Sequence, residues 1–223
     1  MGTAAALTSQ ILSQLQWRQE DITEYLNTGI RSLDHVIEGC PRGRITEIVG
    51  SASSGRTSLL HSILAEATRL GEFCAVVDTT NSFDPVSAEA AGVNLRALVW
   101  IRCNGDIEHA VKAADLLVHS GGFGVIALDF CDLSRRATQK IPLSWWYRFS
   151  RAVEKTPSVF VVLETEPSAK ACASLVLEMR REEAGFTGLR PFSRLDVARF
   201  QAHVRKPPRP SPAGFSAAAA TGG

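Results

Sequence analysis

Five short runs of apolar and β-branched residues, separated by stretches of a different rhythm, constrain this chain more than anything else in it. They are "ITEIVG" at 45–50, "FCAVVDT" at 73–79, "ALVWIRC" at 97–103, "FGVIALDF" at 123–130 and "SVFVVLE" at 158–164. Each is nearly continuous in apolar residues, as strands buried on both faces of a parallel sheet are. The windows between them, 55–70, 85–91, 106–119 and 143–155, carry helical patterns. Strand, helix, strand repeated in this way predicts right-handed βαβ units. The expected fold class is α/β, with a mostly parallel twisted sheet flanked by helices.

After residue 170 the rhythm changes. "ASLVLEMRR" and "SRLDVARFQAHVRK" predict two strands joined by a Gly-containing turn near Phe186 to Gly188, an antiparallel hairpin at the sheet edge. Residues 180–209 hold eight Arg or Lys against three acidic residues. On an edge hairpin such charges guard against strand pairing, a reading favoured slightly over a DNA-facing strip. Three segments follow: an N-terminal helical arm at 1–25, a core domain at 26–206 and a tail at 207–223. The arm places Leu7, Ile11 and Leu15 on one helical stripe. The tail "PPRPSPAGFSAAAATGG" is Pro-, Ala- and Gly-rich, and disorder is expected there.

Composition narrows the function classes. A net charge of +1 argues against a strongly basic whole-molecule DNA binder. Five scattered cysteines without C-x-x-C spacing suit buried, reduced thiols. The first residues lack a charged n-region and a long apolar block, and no run approaches the roughly 20 apolar residues of a membrane span. A cytoplasmic location is expected.

The first run leads into "GSASSGRTSLL", the layout of a phosphate loop, G-x-x-x-x-G-K-[ST], between a strand and a helix. Gly50 and Gly55 stand at the required interval, with Ser53, Ser54 and Ser58 beside them. Thr57 occupies the Mg²⁺-hydroxyl position, and Asp129 ends a buried strand where a carboxylate would hold a metal-bound water. The lysine position, however, is Arg56. Its planar fork is not interchangeable with an ammonium threaded between phosphates.

Residues 26–130 resemble the core of RecA-type recombinases. The pieces that carry the likeness are "NTGIRSLDHVIEGCPRGRITEIVGSASSGRTSLL", "FCAVVDTTNSFDPVSAEAAGVNLRALVW" and "GVIALDF". The resemblance implies a catalytic glutamate where Thr80 stands, an adenine-stacking aromatic where Ser87 stands, and a γ-phosphate-sensing glutamine where Thr165 stands. With Arg56, four positions needed to bind or hydrolyse ATP are altered together, which implies lost turnover and at most weak ATP and Mg²⁺ binding. The family's two long DNA-contacting loops are replaced by the short "CDLSRRATQKIP" and "ETEPSAKAC". Within that superfamily the pattern of losses is similar to the ImuA group of the bacterial SOS mutagenesis cassette. That likeness implies a non-enzymatic role in translesion DNA synthesis, with RecA, an ImuB-like polymerase homologue and an error-prone DnaE-type polymerase as partners. A weak ATPase of the recombinase-paralogue type and a direct DNA-binding module are the alternatives.

Two clusters remain open between sharp and bland readings. Arg135, Arg136 and Lys140 follow the Asp129 strand and read as a solvated loop before a DNA contact, because the loop lacks aromatic platforms. Trp145 and Trp146 are neighbours on a predicted helix, about 100° apart, so at least one points away from the core. Both are candidate partner contacts, together with Leu7, Ile11 and Leu15.

Overall fold

The computed structural model describes residues 24–187 except 132 and 139, then 194–207 and 212–218. The arm stripe of Leu7, Ile11 and Leu15 lies outside these residues. A β-bridge pairs β1 (Tyr25–Leu26) with β2 (Cys40–Pro41) around helix α1 (Arg31–Ile37). The βαβ series follows as β3 (Arg44–Gly50), α2 (Arg56–Arg69), β4 (Phe73–Asp78), α3 (Pro85–Ala90), β5 (Leu98–Arg102), α4 (Ile107–Ser120) and β6 (Phe123–Asp129). Next come the short α5 (Arg135–Thr138), then α6 (Leu143–Val153), β7 (Val159–Glu164), β8 (Ala173–Thr187), β9 (Arg194–Lys206) and β10 (Ala213–Ala218).

Eight strands form one sheet in the order β10-β9-β8-β3-β7-β6-β4-β5. Strands β3 to β8 run parallel, and β9 and β10 are antiparallel additions. The reason is visible strand by strand. In β7, Val159, Val161 and Leu163 face the layer of α2, whereas Phe160 and Val162 face α4 and α6. Alternate residues of an apolar run therefore fill two cores, one on each face. Leu59, Leu60, Ile63 and Leu64 of α2 are fully buried in the first, at about 1.5–3 kcal/mol per side chain. Phe149 of α6 stacks on Phe160 at 5.0 Å in the second.

The helix ends follow local chemistry. Asp84 caps α3 by accepting from the N–H groups of Val86 and Ser87, with Pro85 in the first turn where its missing N–H costs nothing. Asp106 caps α4 by accepting from His109 N–H at 3.0 Å.

Two expectations are corrected. The predicted hairpin of β8 and β9 exists, but β8 lies inside the sheet against β3, and β9 is covered by β10. Its charges therefore do not guard an edge. Arg180 and Arg205 share Glu178, and Arg199 pairs with Glu183. Residues 213–218, expected to be disordered, form β10 on the flank of β9. Small residues such as Ala213 and Gly214 bury little apolar surface, but β9 offers a complete row of backbone partners, and Phe215 packs on Phe200 at 5.6 Å. Cys40, Cys74, Cys103 and Cys172 are buried and Cys131 half-buried, all as thiols. Burial pushes the Cys74 thiol up to about 12. Among the described residues no helix is long and apolar enough to cross a membrane.

Candidate functional site

Strand β3 delivers the chain to the phosphate loop at the carboxyl end of the sheet, where open α/β sheets place their ligands. Gly50 has φ 154°, and a Cβ there would stand 2.5 Å from the Met179 carbonyl oxygen and 2.6 Å from Ser54 Oγ, so no other residue fits. Ser53 takes φ 59° and Gly55 φ 94°. A Cβ on Gly55 would meet the Phe200 ring of β9 at 2.6 Å. The loop then opens into α2, whose N-cap Gly55 supplies no side-chain acceptor. Its first N–H groups are thus directed at whatever occupies the loop, together with the positive end of the helix dipole.

The side chains around this cradle divide sharply. Arg56 is only 6% exposed, and its Nη1 has no hydrogen-bond partner. Ser54 Oγ is likewise buried and unpartnered, while Thr57 is exposed and Ser58 half-buried. Across the loop, Asp78 and Asp129 sit side by side at the tips of β4 and β6. Asp129 accepts from Cys131 N–H at 2.8 Å. Burial pushes its carboxyl above the usual range and Asp78 adds to this, while the Arg56 guanidinium pulls the other way. Asp78 accepts from the N–H groups of Ser82 and Phe83 and from Trp100 Nε1, so it is a structural fastener of the following turn.

The sequence-predicted positions fall as follows. Gly50, Ser53, Ser54, Gly55, Arg56, Thr57 and Ser58 form one loop and first helical turn, and Asp129 is electrostatically coupled to Arg56. Thr80 is half-buried, with its hydroxyl donating to Ser82 Oγ at 3.3 Å. Ser87 is turned to its capping Asp84, and Thr165 is exposed just beyond β7. Trp146 is 1% exposed and packs in the core against Phe149, so it is withdrawn as a partner contact. Trp145, about 100° away on the same helix, is the half-buried one, with the Arg148 guanidinium 5.4 Å from its ring. Arg136 and Lys140 are exposed, and the side chain of Arg135 lies outside the described residues.

The two short segments that follow β6 and β7 meet at a cleft of about 500 Å³ lined by Lys140, Trp146, Glu166, Ser168 and Lys170. Behind it lies a pair that the sequence reading missed. Glu47 of β3 and Glu164 of β7 are both fully buried, and both accept from Ser168 N–H through their Oε1 atoms, at 2.8 and 3.0 Å. Glu47 also accepts from Ala169 N–H at 2.6 Å. Burial and the neighbouring Glu47 push Glu164 up to about 9, so it is protonated at neutral pH. An acidic residue inside each of two otherwise apolar runs was the available signal.

As a test of what the cradle could hold, the unpartnered Arg56 Nη1 and Ser54 Oγ and the uncapped helix start fit an anionic phosphate. Gly50 to Thr57 would hold it, and Thr57 with Asp129 would hold an accompanying Mg²⁺. No carboxylate stands at Thr80 to orient a water. Among the described residues no group of three or more His, Cys, Asp or Glu forms a metal-binding cluster.

A phosphate loop between β3 and α2, a carboxylate at the tip of β6 and a central parallel sheet define a P-loop α/β protein. A narrower assignment comes from sequence. The family model described as the RecA N-terminal domain matches residues 8–137, more than half of the chain, and the chain belongs to that family. It is 38% identical over 121 residues to Protein RecA of Laribacter hongkongensis, covering 53% of this chain and 34% of that one. It is also similar to Protein RecA of Haemophilus ducreyi, with 43% identity over 108 residues, 48% of this chain and 29% of the other. Protein RecA of Deinococcus radiodurans is 41% identical over 108 residues, 48% and 30% of the two chains. The matched region spans about a third of the length of these relatives.

Proposed function

We propose that this chain is a non-catalytic member of the RecA family that serves SOS-induced mutagenesis and translesion DNA synthesis through protein contacts, in the manner of the ImuA group. Its partners are RecA itself, an ImuB-like polymerase homologue and an error-prone DnaE-type polymerase. The observation that carries the reading is Arg56: the cation of the phosphate loop is drawn inside the protein, 6% exposed, toward Asp129. Thr80 and Thr165, where the recombinase resemblance calls for a water-orienting glutamate and a γ-phosphate sensor, supply neither group. Phosphoryl transfer depends almost wholly on such positioning and electrostatics. What remains is a well-packed recombinase-like scaffold whose value lies in the surfaces it presents.

The test is ATP turnover by the purified chain, with and without single-stranded DNA. Turnover far below the roughly 1 per second typical of slow phosphoryl-transfer enzymes is expected in both conditions. A rate at or above that figure sinks the proposal. One observation favours a second reading, a weak ATP-binding paralogue in recombinational repair: the Arg56 Nη1 and Ser54 Oγ atoms have no partner and suit a phosphate. Saturable nucleotide binding with DNA-stimulated phosphate release selects that reading. Salt-dependent binding of single strands without a partner protein selects a direct DNA-binding module instead.

A further inference from the structure

Helix α6 has two faces of opposite character. Trp146, Phe149 and Val153, at i, i+3 and i+7, are buried against β7 and α4. Ser144, Tyr147, Arg148 and Arg151, with Lys155 just past the helix end, point the opposite way. With His119 at the end of α4 they line an open cleft of about 890 Å³. Tyr147 is 51% exposed there.

The charges in this cleft are not balanced. Arg148 donates through Nε and Nη2 to the two carboxylate oxygens of Asp115, each at 2.6 Å, and lies over the Trp145 ring. It is therefore fixed and locally neutralised. Glu154, the C-cap of α6, is paired with Arg44 from β3 at 2.6 Å and feels the adjacent Lys155 only as a weaker, unbonded charge. Among the described residues no ion pair reaches Arg151 or Lys155. Two cations without an ion-pair partner, about one helical turn apart, thus follow an exposed tyrosine along one face, beside a pinned arginine. Tyrosine, tryptophan and arginine are the residue types that dominate protein contacts.

We propose that this cleft docks an acidic protein segment, which sets its carboxylates against Arg151 and Lys155 and an apolar side chain on Tyr147. The inference rests on the reading of the chain as an accessory acting through protein contacts, and it names the chemistry of one such contact. Charge complementarity favours an acidic segment. Nucleic acid fits less well, because a phosphate track needs cations along its length and free rings for bases. Here the free cations lie at one end, and the Trp145 face is already covered by Arg148.

The test uses the full chain and a labelled peptide in which a Leu-Phe pair is flanked on both sides by Asp and Glu. A peptide with Asn and Gln at the acidic positions and a single-stranded oligonucleotide serve as comparison probes. Saturable binding of the acidic peptide, weakened about tenfold or more by Arg151→Glu with Lys155→Glu and by Tyr147→Ala, is the expected result. Arg96→Glu, an exposed cation near β5, should leave that binding unchanged. Equal binding by the doubly reversed variant, no saturable peptide binding, or binding of the oligonucleotide in place of the peptide overturns the proposal. ATP turnover is read on the same preparation. Turnover would sink the accessory reading itself, whereas failed peptide binding without turnover removes only this surface.

Discussion

The phosphate loop and the strand tips that face it have departed from the recombinase pattern to different degrees. Within the loop, Gly50, Gly55, Thr57 and the positive-φ backbone are all in place. Around it, Thr80, Ser87 and Thr165 stand where the resemblance implies a carboxylate, a ring and an amide. The difference teaches which residues the fold itself holds. Gly50 and Gly55 are pressed against the Met179 carbonyl and the Phe200 ring, so they are required whether or not a phosphate ever arrives. Thr80 is half-buried, with only a 3.3 Å hydroxyl bond to Ser82, and Thr165 is exposed, so neither is pinned by packing as the two glycines are. Chemistry alone would have preserved those positions.

The hardest blow to this comparison would be a tolerant Gly55. Gly55→Ala combines a left-handed backbone with a methyl group inside the Phe200 ring, and should cost about 2–4 kcal/mol in urea unfolding. Phe200→Ala alone should cost about 3–5 kcal/mol as a buried aromatic truncation. Combined, the two should cost clearly less than their sum, because the smaller residue at 200 makes room for the methyl. If Gly55→Ala costs below about 0.5 kcal/mol, the loop is not held by packing and the contrast with the strand tips disappears.

Legibility in the sequence follows the same division. Strands β3 to β7 were predicted to within a residue or two because each is buried on both faces and leaves a continuous apolar run. Helices α2, α4 and α6 were predicted from one-sided burial. Strand β10 was not, since "AGFSAA" is ordered by the backbone of β9 and by Phe215 meeting Phe200, fifteen residues back along the chain. Which of Trp145 and Trp146 is inside required the position of α6 over Phe160. The Glu47–Glu164 pair joins residues far apart in sequence whose only local sign is a charge inside an apolar run. Register between strands decides that they meet, and no single run encodes register.

That pair sharpens the comparison, because it is a strand tip with structural content. Glu164 takes up its proton on folding: its folded value of about 9 lies above the ordinary carboxylate range. The stability it contributes is therefore fully present below its ordinary value and is lost as pH rises through about 9. The groups that face the pair are the N–H donors of Ser168 and Ala169, with Cys172 and Lys206 further out. Lys206 is the one cation among them, and its ammonium donates to the backbone carbonyls of Ala171 and Ala173 instead of to either carboxylate. The chain should lose about 1–3 kcal/mol between roughly pH 5 and pH 9 beyond what Glu164→Gln loses over the same range. Urea midpoints across that window measure it, and parallel curves for the two proteins would show that the pair shares no proton.

The smallest effect is expected at Arg56. A buried guanidinium with an unpartnered Nη1 carries a desolvation cost that its few contacts offset only in part, so its own removal costs little as long as the facing carboxyl need not ionise. Arg56→Met should change stability by less than about 1 kcal/mol near pH 4, at the acid end, where pushing the Asp129 carboxyl further up costs least. At higher pH a difference opens. Arg56 holds the buried Asp129 carboxyl lower than burial and Asp78 alone would set it, so its removal moves that carboxyl further up. Stability tied to a raised carboxyl is lost as pH rises, and the methionine variant should fall behind the parent between about pH 4 and pH 8. Thermal melts at the two ends of that range are the measurement. A large loss at pH 4 would make Arg56 a structural bridge of the loop, and the cation would then belong with Gly50 and Gly55 among the residues the fold holds in place. No difference at pH 8 would show that Arg56 and Asp129 do not communicate, leaving the arginine to serve something outside the chain.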